Sequence, residues 1–216
     1  MPGYRDYVYS TKLFIMNTFS IINKIKTTAN KKTDKGLVFI PDISGFTELV
    51  TTTDLVTGQI ITTELLSTII SHNRLKMEIA EIEGDAVFFF KWRSIPSADE
   101  LYGQFETMKT AFEKKVHELA YRYNISLNLH LKAIAHYGEM SAFTIGGFHK
   151  LYGKVVIEAH RLLKNNIPDR SYLLITDELM AVSTQAKSSN IFHAVGSTKL
   201  CELYSGLRNL CFTYIA

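Results

Sequence analysis

The stretch "FIPDISGFTELV", residues 39–50, decides how the chain is read. An apolar run, Leu37-Val38-Phe39-Ile40, has the character of a strand buried on both faces, and it breaks at Pro41 onto one carboxylate, Asp42. Ser44-Gly45 then forms a small-residue turn, and Phe46-Thr47-Glu48-Leu49-Val50 starts a helix. An acid at that junction has two readings: it caps the helix that follows, or it holds a charged ligand.

Working outward, "TGQIITTELLSTIISHNRL" repeats Ile61, Leu65, Leu66, Ile69 and Ile70 at helical spacing. "KMEIAEIEGDAVFFFKW" contains two extended runs that reverse at Glu83-Gly84, a β-hairpin with Asp85 at its turn. Pro96-Ser97 opens a long helix over 97–123, with Ser97 as N-cap and Asp99 and Glu100 in the first turn. "LNLHLKAIAHYGEM", residues 127–140, alternates as a strand, and a short extended piece over 141–145 leads to Gly146-Gly147. "KVVIEAHRLLKN" is helical, "SYLLIT" extended, and residues 191–196 and 207–215 read as closing strands. Strand, helices, hairpin, helix and strand in that order predict an α/β (α+β sandwich) fold. Its core is a ferredoxin-like split βαβ unit, a mostly antiparallel sheet with the helices on one face.

Residues 1–35 form an N-terminal extension with a helix over 13–26, followed by the polar "KTTANKKTDKG"; residues 36–216 form one domain. The helix docks on the domain or on a partner; the alternative is a membrane-surface helix using Leu13, Phe14, Ile15, Phe19, Ile21 and Ile22. No apolar run reaches the length of a membrane span, and no small-residue cleavage site follows "LFIMNTFSII". The 216 residues are 46% hydrophobic and 21% charged with net charge +3, too mild a balance for a phosphate-backbone surface. The chain is therefore not expected to bind nucleic acid, and Phe88, Phe89, Phe90 and Trp92 divide between the two faces of a strand without a basic cluster. Cys201 and Cys211 lack metal-ligand spacing and read as reduced, packed thiols, which points to a cytoplasmic protein. His130, His136, His149, His160 and His193 show no metal-ligand spacing either; His130 and His136 share a strand face with Lys132, a solvated or helix-covered face.

In a split βαβ sheet the first strand and the hairpin strand are neighbours, so Asp42 and Asp85 converge. Two close carboxylates repel unless cations neutralise them, and hard divalent ions that also grip phosphate meet that need. Backbone N–H groups of the Gly45 turn, at a helix start, suit phosphate oxygens.

At these residues the chain resembles the class III nucleotidyl (adenylyl/guanylyl) cyclase homology domain. "FIPDISGFTELV" looks like the first metal-binding segment of that superfamily and "EIEGDAVFFF" like the second. "LKAIAHYGEM" resembles its strand with a His-x-Gly turn, and "LYGKVVIEAHRLLK" the segment ending in its catalytic helix. An uncharacterised bacterial branch carries similar strings. The resemblance implies Asp42 and Asp85 as ligands of two Mg or Mn ions, with the Ile43 carbonyl as a backbone ligand. It makes Gly45, Phe46 and Thr47 the phosphate turn, Glu81 and Lys150 the base-selecting positions, and Arg161 the catalytic group that meets charge on the transferring phosphoryl. Glutamate at Glu81 suits the N1–H and N2–H₂ edge of guanine, so a purine nucleoside triphosphate of the guanine type is favoured. Active sites in the family form between subunits, which implies a homodimer.

The departures lie in the segment around Arg161. Ile157 stands where the family has a ribose-orienting asparagine, Lys154 where an aspartate is usual, and Lys150 where an acid or cysteine is usual. Lys199 and Arg208 are candidates for the triphosphate cation. Two functions follow: a metal-dependent cyclase forming a 3′,5′-cyclic nucleotide, or a catalytically degenerate module serving as a dimeric sensor or scaffold.

Overall fold

The computed structural model describes residues 32–183, 196–204, 206 and 208–216. The expected helix over 13–26, with its membrane alternative, and most of the strand expected over 191–196 lie outside the described residues. The elements run β1 (Lys32–Ser44), α1 (Phe46–Thr52), α2 (Leu55–Ser71), β2 (Glu78–Glu83), β3 (Ala86–Lys91), α3 (Ala98–Tyr123), β4 (His130–Ile145) and β5 (Phe148–Tyr152). They continue with α4 (Lys154–Leu162), β6 (Leu173–Thr176), α5 (Asp177–Ser183), β7 (Thr198–Leu203) and β8 (Asn209–Ile215).

The strands form one mixed, mostly antiparallel sheet in the order β2-β3-β1-β4-β6-β8-β7, with β5 paired to β4. β4 and β6 run parallel; the other pairings are antiparallel. The central position of β1 explains its apolar run: Leu37, Val38, Phe39 and Ile40 are all fully buried, on alternate faces. Leu37 and Phe39 join Ile61, Leu65 and Ile69 of α2, Phe105, Met108 and Phe112 of α3, and Leu179 of α5. Val38 and Ile40 meet Phe88, Phe90, Val155 and Ala159 on the opposite face.

The expectation that the helices share one face is corrected by α4. Its Val155, Ala159 and Leu162 cover the face opposite α2 and α3. Gly138 allows the close approach, because a Cβ there would sit 3.0 Å from Val155 Cβ. The pieces expected over 127–140 and 141–145 form the single strand β4, which begins at His130 and ends at Ile145. α3 carries the full capping box: Ser97 Oγ accepts from Glu100 N–H at 3.2 Å, and Glu100 Oε2 accepts from Ser97 N–H at 2.8 Å.

The expectation of two reduced thiols is also corrected. β7 and β8 pair so that Cys201 faces Cys211, and the two form a disulfide with Cα atoms 4.0 Å apart. Strand register decided this, and spacing along the chain could not reveal it. The cytoplasmic argument that rested on free thiols therefore does not hold. Among the described residues no helix is long and apolar enough to cross a membrane.

Candidate functional site

β3, β1 and β4 lie side by side, and their register sets three charged residues in a row. Asp42 of β1 is opposite Ala86 of β3 on one side and opposite Lys132 of β4 on the other. Asp85, one residue before Ala86, is tied to β1 by the Ile43 N–H donating to its carbonyl at 3.3 Å. Asp42 thus stands between a second acid and a base. Lys132 Nζ lies 3.1 Å from Asp42 Oδ2, with side chains 18% and 14% exposed, and also donates to the Leu163 carbonyl at 3.1 Å, just after α4.

Asp42 does not cap α1. It is a paired β1 residue, and the N-cap position belongs to Gly45 (φ 92°), with no side-chain hydrogen bond to the helix start. That removes the capping reading and leaves a half-buried acid beside a second one. Burial, followed by the charge of Asp42, pushes the Asp85 carboxyl above the usual carboxylate range; Lys132 and a backbone hydrogen bond offset part of this. Among the described residues Asp85 makes no ion pair. A divalent cation is the ligand that relieves such a pair, so the donor set fits one. Among the described residues no three His, Cys, Asp or Glu side chains assemble as a metal-ligand group. The remaining ligands of any ion there would come from backbone, solvent or substrate oxygens, as hard cations accept.

Ile43 buries its side chain in the main core, leaving its backbone as its polar contribution. Gly45 is required at the turn, since a Cβ would fall 2.4 Å from the Asn128 carbonyl oxygen. Phe46 packs against the core, while Thr47 is exposed at the start of α1. Glu81 on β2 and Lys150 on β5 form an ion pair, so the two base-selecting positions come together with opposite charges. Arg161, in the last turn of α4, is exposed and makes no ion pair among the described residues. Ile157, one turn earlier and 55% exposed, shares its face. The two triphosphate candidates are engaged within the chain: Lys199 with Asp177 at 2.8 Å, and Arg208 with Glu178 and, at 2.9 Å, Glu158.

Two features escaped the reading of the sequence. The pairing of Lys132 with Asp42 is the first; its only signal was a lysine on the face of β4 opposite Leu131 and Ala133, shared with His130 and His136. The second is a buried polar network. His136 is fully buried under α4, with Nδ1 2.8 Å from Thr176 Oγ1 and Nε2 3.0 Å from Glu158 Oε2. Of the two environments expected for it, helix-covered is the one found. A cleft of about 420 Å³ beside the network is lined by Lys35, Lys154, Glu158, Glu178 and Arg208 among others, and its charges are largely paired with one another.

A family model described as "Protein of unknown function (DUF2652)" matches residues 62–172, a segment that includes Glu81, Asp85, Lys132, Lys150 and Arg161 and begins after Asp42. An uncharacterized protein of Mycobacterium tuberculosis is 31% identical over 107 residues, covering 47% of this chain and 50% of that protein. The chain thus spans about half the length of the curated relative it matches. Among solved structures, the guanylyl cyclase Cya2 superposes with TM-score 0.64 at 14% identity, over 86% of this chain and 93% of that one. The adenylyl cyclase CyaB from Pseudomonas aeruginosa gives 0.60 at 18% identity, over 87% and 96%. A class III adenylyl cyclase-like ATP-binding protein from the same organism gives 0.63 at 16%, over 80% and 39%. At these identities the likeness is one of fold: the cyclase-domain architecture expected from the motifs is present.

Proposed function

The chain belongs to the family described as "Protein of unknown function (DUF2652)", and from that premise we propose that it is a divergent nucleotidyl-cyclase-like domain that binds a metal–nucleoside triphosphate. One observation carries the reading: Asp42 on β1 lies beside Asp85 in the turn before β3, close enough for its charge to raise the Asp85 carboxyl, with both acids partly buried and Asp42 freed from any capping role. The cyclase fold of the solved neighbours supports it, and so does the ATP-binding protein among them.

In this reading Asp42 and Asp85 hold Mg or Mn with help from the Ile43 carbonyl. A bound divalent ion supplies charge neutralisation and polarises phosphate oxygens. The uncapped N–H groups after Gly45 face the phosphates. Glu81 accepts from a guanine edge, with Lys150 holding its carboxylate in place. Cyclisation joins the ribose 3′-oxygen to the α-phosphorus and breaks the bond to the β-phosphate, releasing pyrophosphate while the 3′-hydroxyl proton passes to solvent. Arg161 stabilises the charge developing at the phosphoryl group. In this reading Arg161 serves the site of a second copy and the working unit is a homodimer; its exposure on α4, paired with neither aspartate, supports that placement.

Ile157 favours a second reading, in which nucleotide binds without turnover and the domain acts as a dimeric sensor or scaffold. An exposed isoleucine offers no hydrogen bond to a ribose.

The test uses purified full chain with Mn²⁺ and each of the four nucleoside triphosphates, read by thermal shift and by mass spectrometry of products. Stabilisation by metal and nucleotide in wild type, lost in Asp42→Ala/Asp85→Ala, supports binding. A cyclic product separates enzyme from sensor, and equal stabilisation of both proteins overturns the aspartate site.

A further inference from the structure

Lys132 gives the aspartate pair a property that its two acids alone do not have. Its Cα is opposite that of Asp42 in the β1–β4 ladder, so both side chains leave the sheet on the face covered by α4. The ammonium is held at both ends, 3.1 Å from Asp42 Oδ2 and 3.1 Å from the Leu163 carbonyl oxygen. It is no free-swinging surface lysine, being 18% exposed. Asp85, on the far side of Asp42, is the acid that makes no ion pair among the described residues. The arrangement is therefore asymmetric, with one carboxylate oxygen already bearing a cation and the other acid open.

We infer that Lys132 occupies one of the two cation positions at Asp42 and Asp85, so that the site takes a single divalent ion and Lys132 supplies the second positive charge toward phosphate. The inference rests on the reading of the two aspartates as metal ligands and sharpens it. Coulomb repulsion falls only as the inverse of distance, and a second divalent ion on Asp42 would share its carboxylate with an ammonium already in contact. A lysine is suited to the substitution, being a compact point charge with three donors for phosphate oxygens. Its hydrogen bond to the carbonyl of Leu163 also ties the cation position to the end of α4, the helix that carries Ile157 and Arg161.

The experiment titrates Mn²⁺ alone into the full chain at constant pH, counting bound ions from the loss of the free Mn²⁺ electron paramagnetic resonance signal. Wild type is expected to bind one ion per chain, Lys132→Met two, and Lys132→Arg, which restores the charge, one. Two ions in wild type overturn the inference and leave the aspartate site standing. An unchanged single ion in folded Lys132→Met also overturns it. No bound ion in wild type, matching Asp42→Asn/Asp85→Asn, overturns the aspartate reading itself and the inference with it. Where Lys132→Met fails to fold, Lys132→Gln takes its place: two ions support the inference and one overturns it.

Discussion

Glu158 on α4 and His136 on β4 meet inside the protein, with Oε2 3.0 Å from Nε2 and side chains 4% and 0% exposed. Arg208 reaches the other Glu158 oxygen at 2.9 Å, and Thr176 takes the second imidazole nitrogen. The network clamps α4 to the sheet and to the start of β8, so the exposed face bearing Ile157 and Arg161 is positioned by buried polar contacts as well as by Val155 and Ala159.

Acid stability follows from that contact. Burial pushes the Glu158 carboxyl up, but hydrogen bonds from His136 and Arg208 outweigh it and leave the group at about 2 against an ordinary 4.5. Because the folded value is depressed, its contribution is present in full above pH 4.5 and is lost as the pH falls toward 2. The shift corresponds to about 3 kcal/mol at neutral pH, an order-of-magnitude figure from ~1.4 kcal/mol per unit. Thermal melts between pH 7 and pH 3 should show a smaller acid loss in Glu158→Gln than in wild type. Parallel losses would show that other groups govern the acid limb.

Gly45→Ala is expected to destabilise the fold. The position has φ 92°, and an added Cβ would meet the backbone carbonyl of Asn128 at 2.4 Å. The left-handed backbone alone costs about 1–2 kcal/mol for an L-residue, and the clash adds to it. Urea denaturation of Gly45→Ala against Gly58→Ala, whose nearest atom in this sense is 4.0 Å away, isolates the effect.

The Cys201–Cys211 bond closes a loop with a sequence separation of 10. Chain-entropy reasoning gives about 2–3 kcal/mol for a loop of that size, less where the β7–β8 hairpin retains structure when unfolded. Thiol reductant or Cys201→Ser should lower the melting temperature. Alkylation under native, non-reducing conditions should leave both cysteines unmodified by mass; two added labels would count against the bond.

Ile157→Asn restores a polar side chain on the Arg161 face of α4. With Ile157 55% exposed, stability should change within about 0.5 kcal/mol. Cyclic-nucleotide formation should rise by roughly 10²–10³-fold, the effect of one preorganised polar contact. A flat response would favour the sensor reading.

Much of the architecture was legible because its signals are local. The four-residue apolar run of β1, the Ser97–Glu100 cap and the Gly84 reversal each lie within one turn or strand, where period and capping chemistry act directly. β5, α5 and β7 were missed, being short segments of five, seven and six residues without strong periodicity. The side of the sheet taken by α4 was misjudged, because Val155 and Ala159 form an apolar stripe that fits either face.

The candidate site divides along the same line. Asp42, Gly45 and Asp85 stand out in the chain, because an acid after a buried run and a glycine at a strand–helix turn are unusual enough to mark a place where backbone and charge have work to perform. Their neighbours are another matter. Lys132 beside Asp42, Lys150 beside Glu81, His136 against Glu158 and Cys201 bonded to Cys211 are all encounters between different elements. Cross-strand register and the seating of α4 create them; a slip of one residue would carry a strand side chain to the opposite face, and would turn Glu158 on α4 away from His136. Local chemistry therefore named the acids, while the sheet chose the cation that sits between Asp42 and α4.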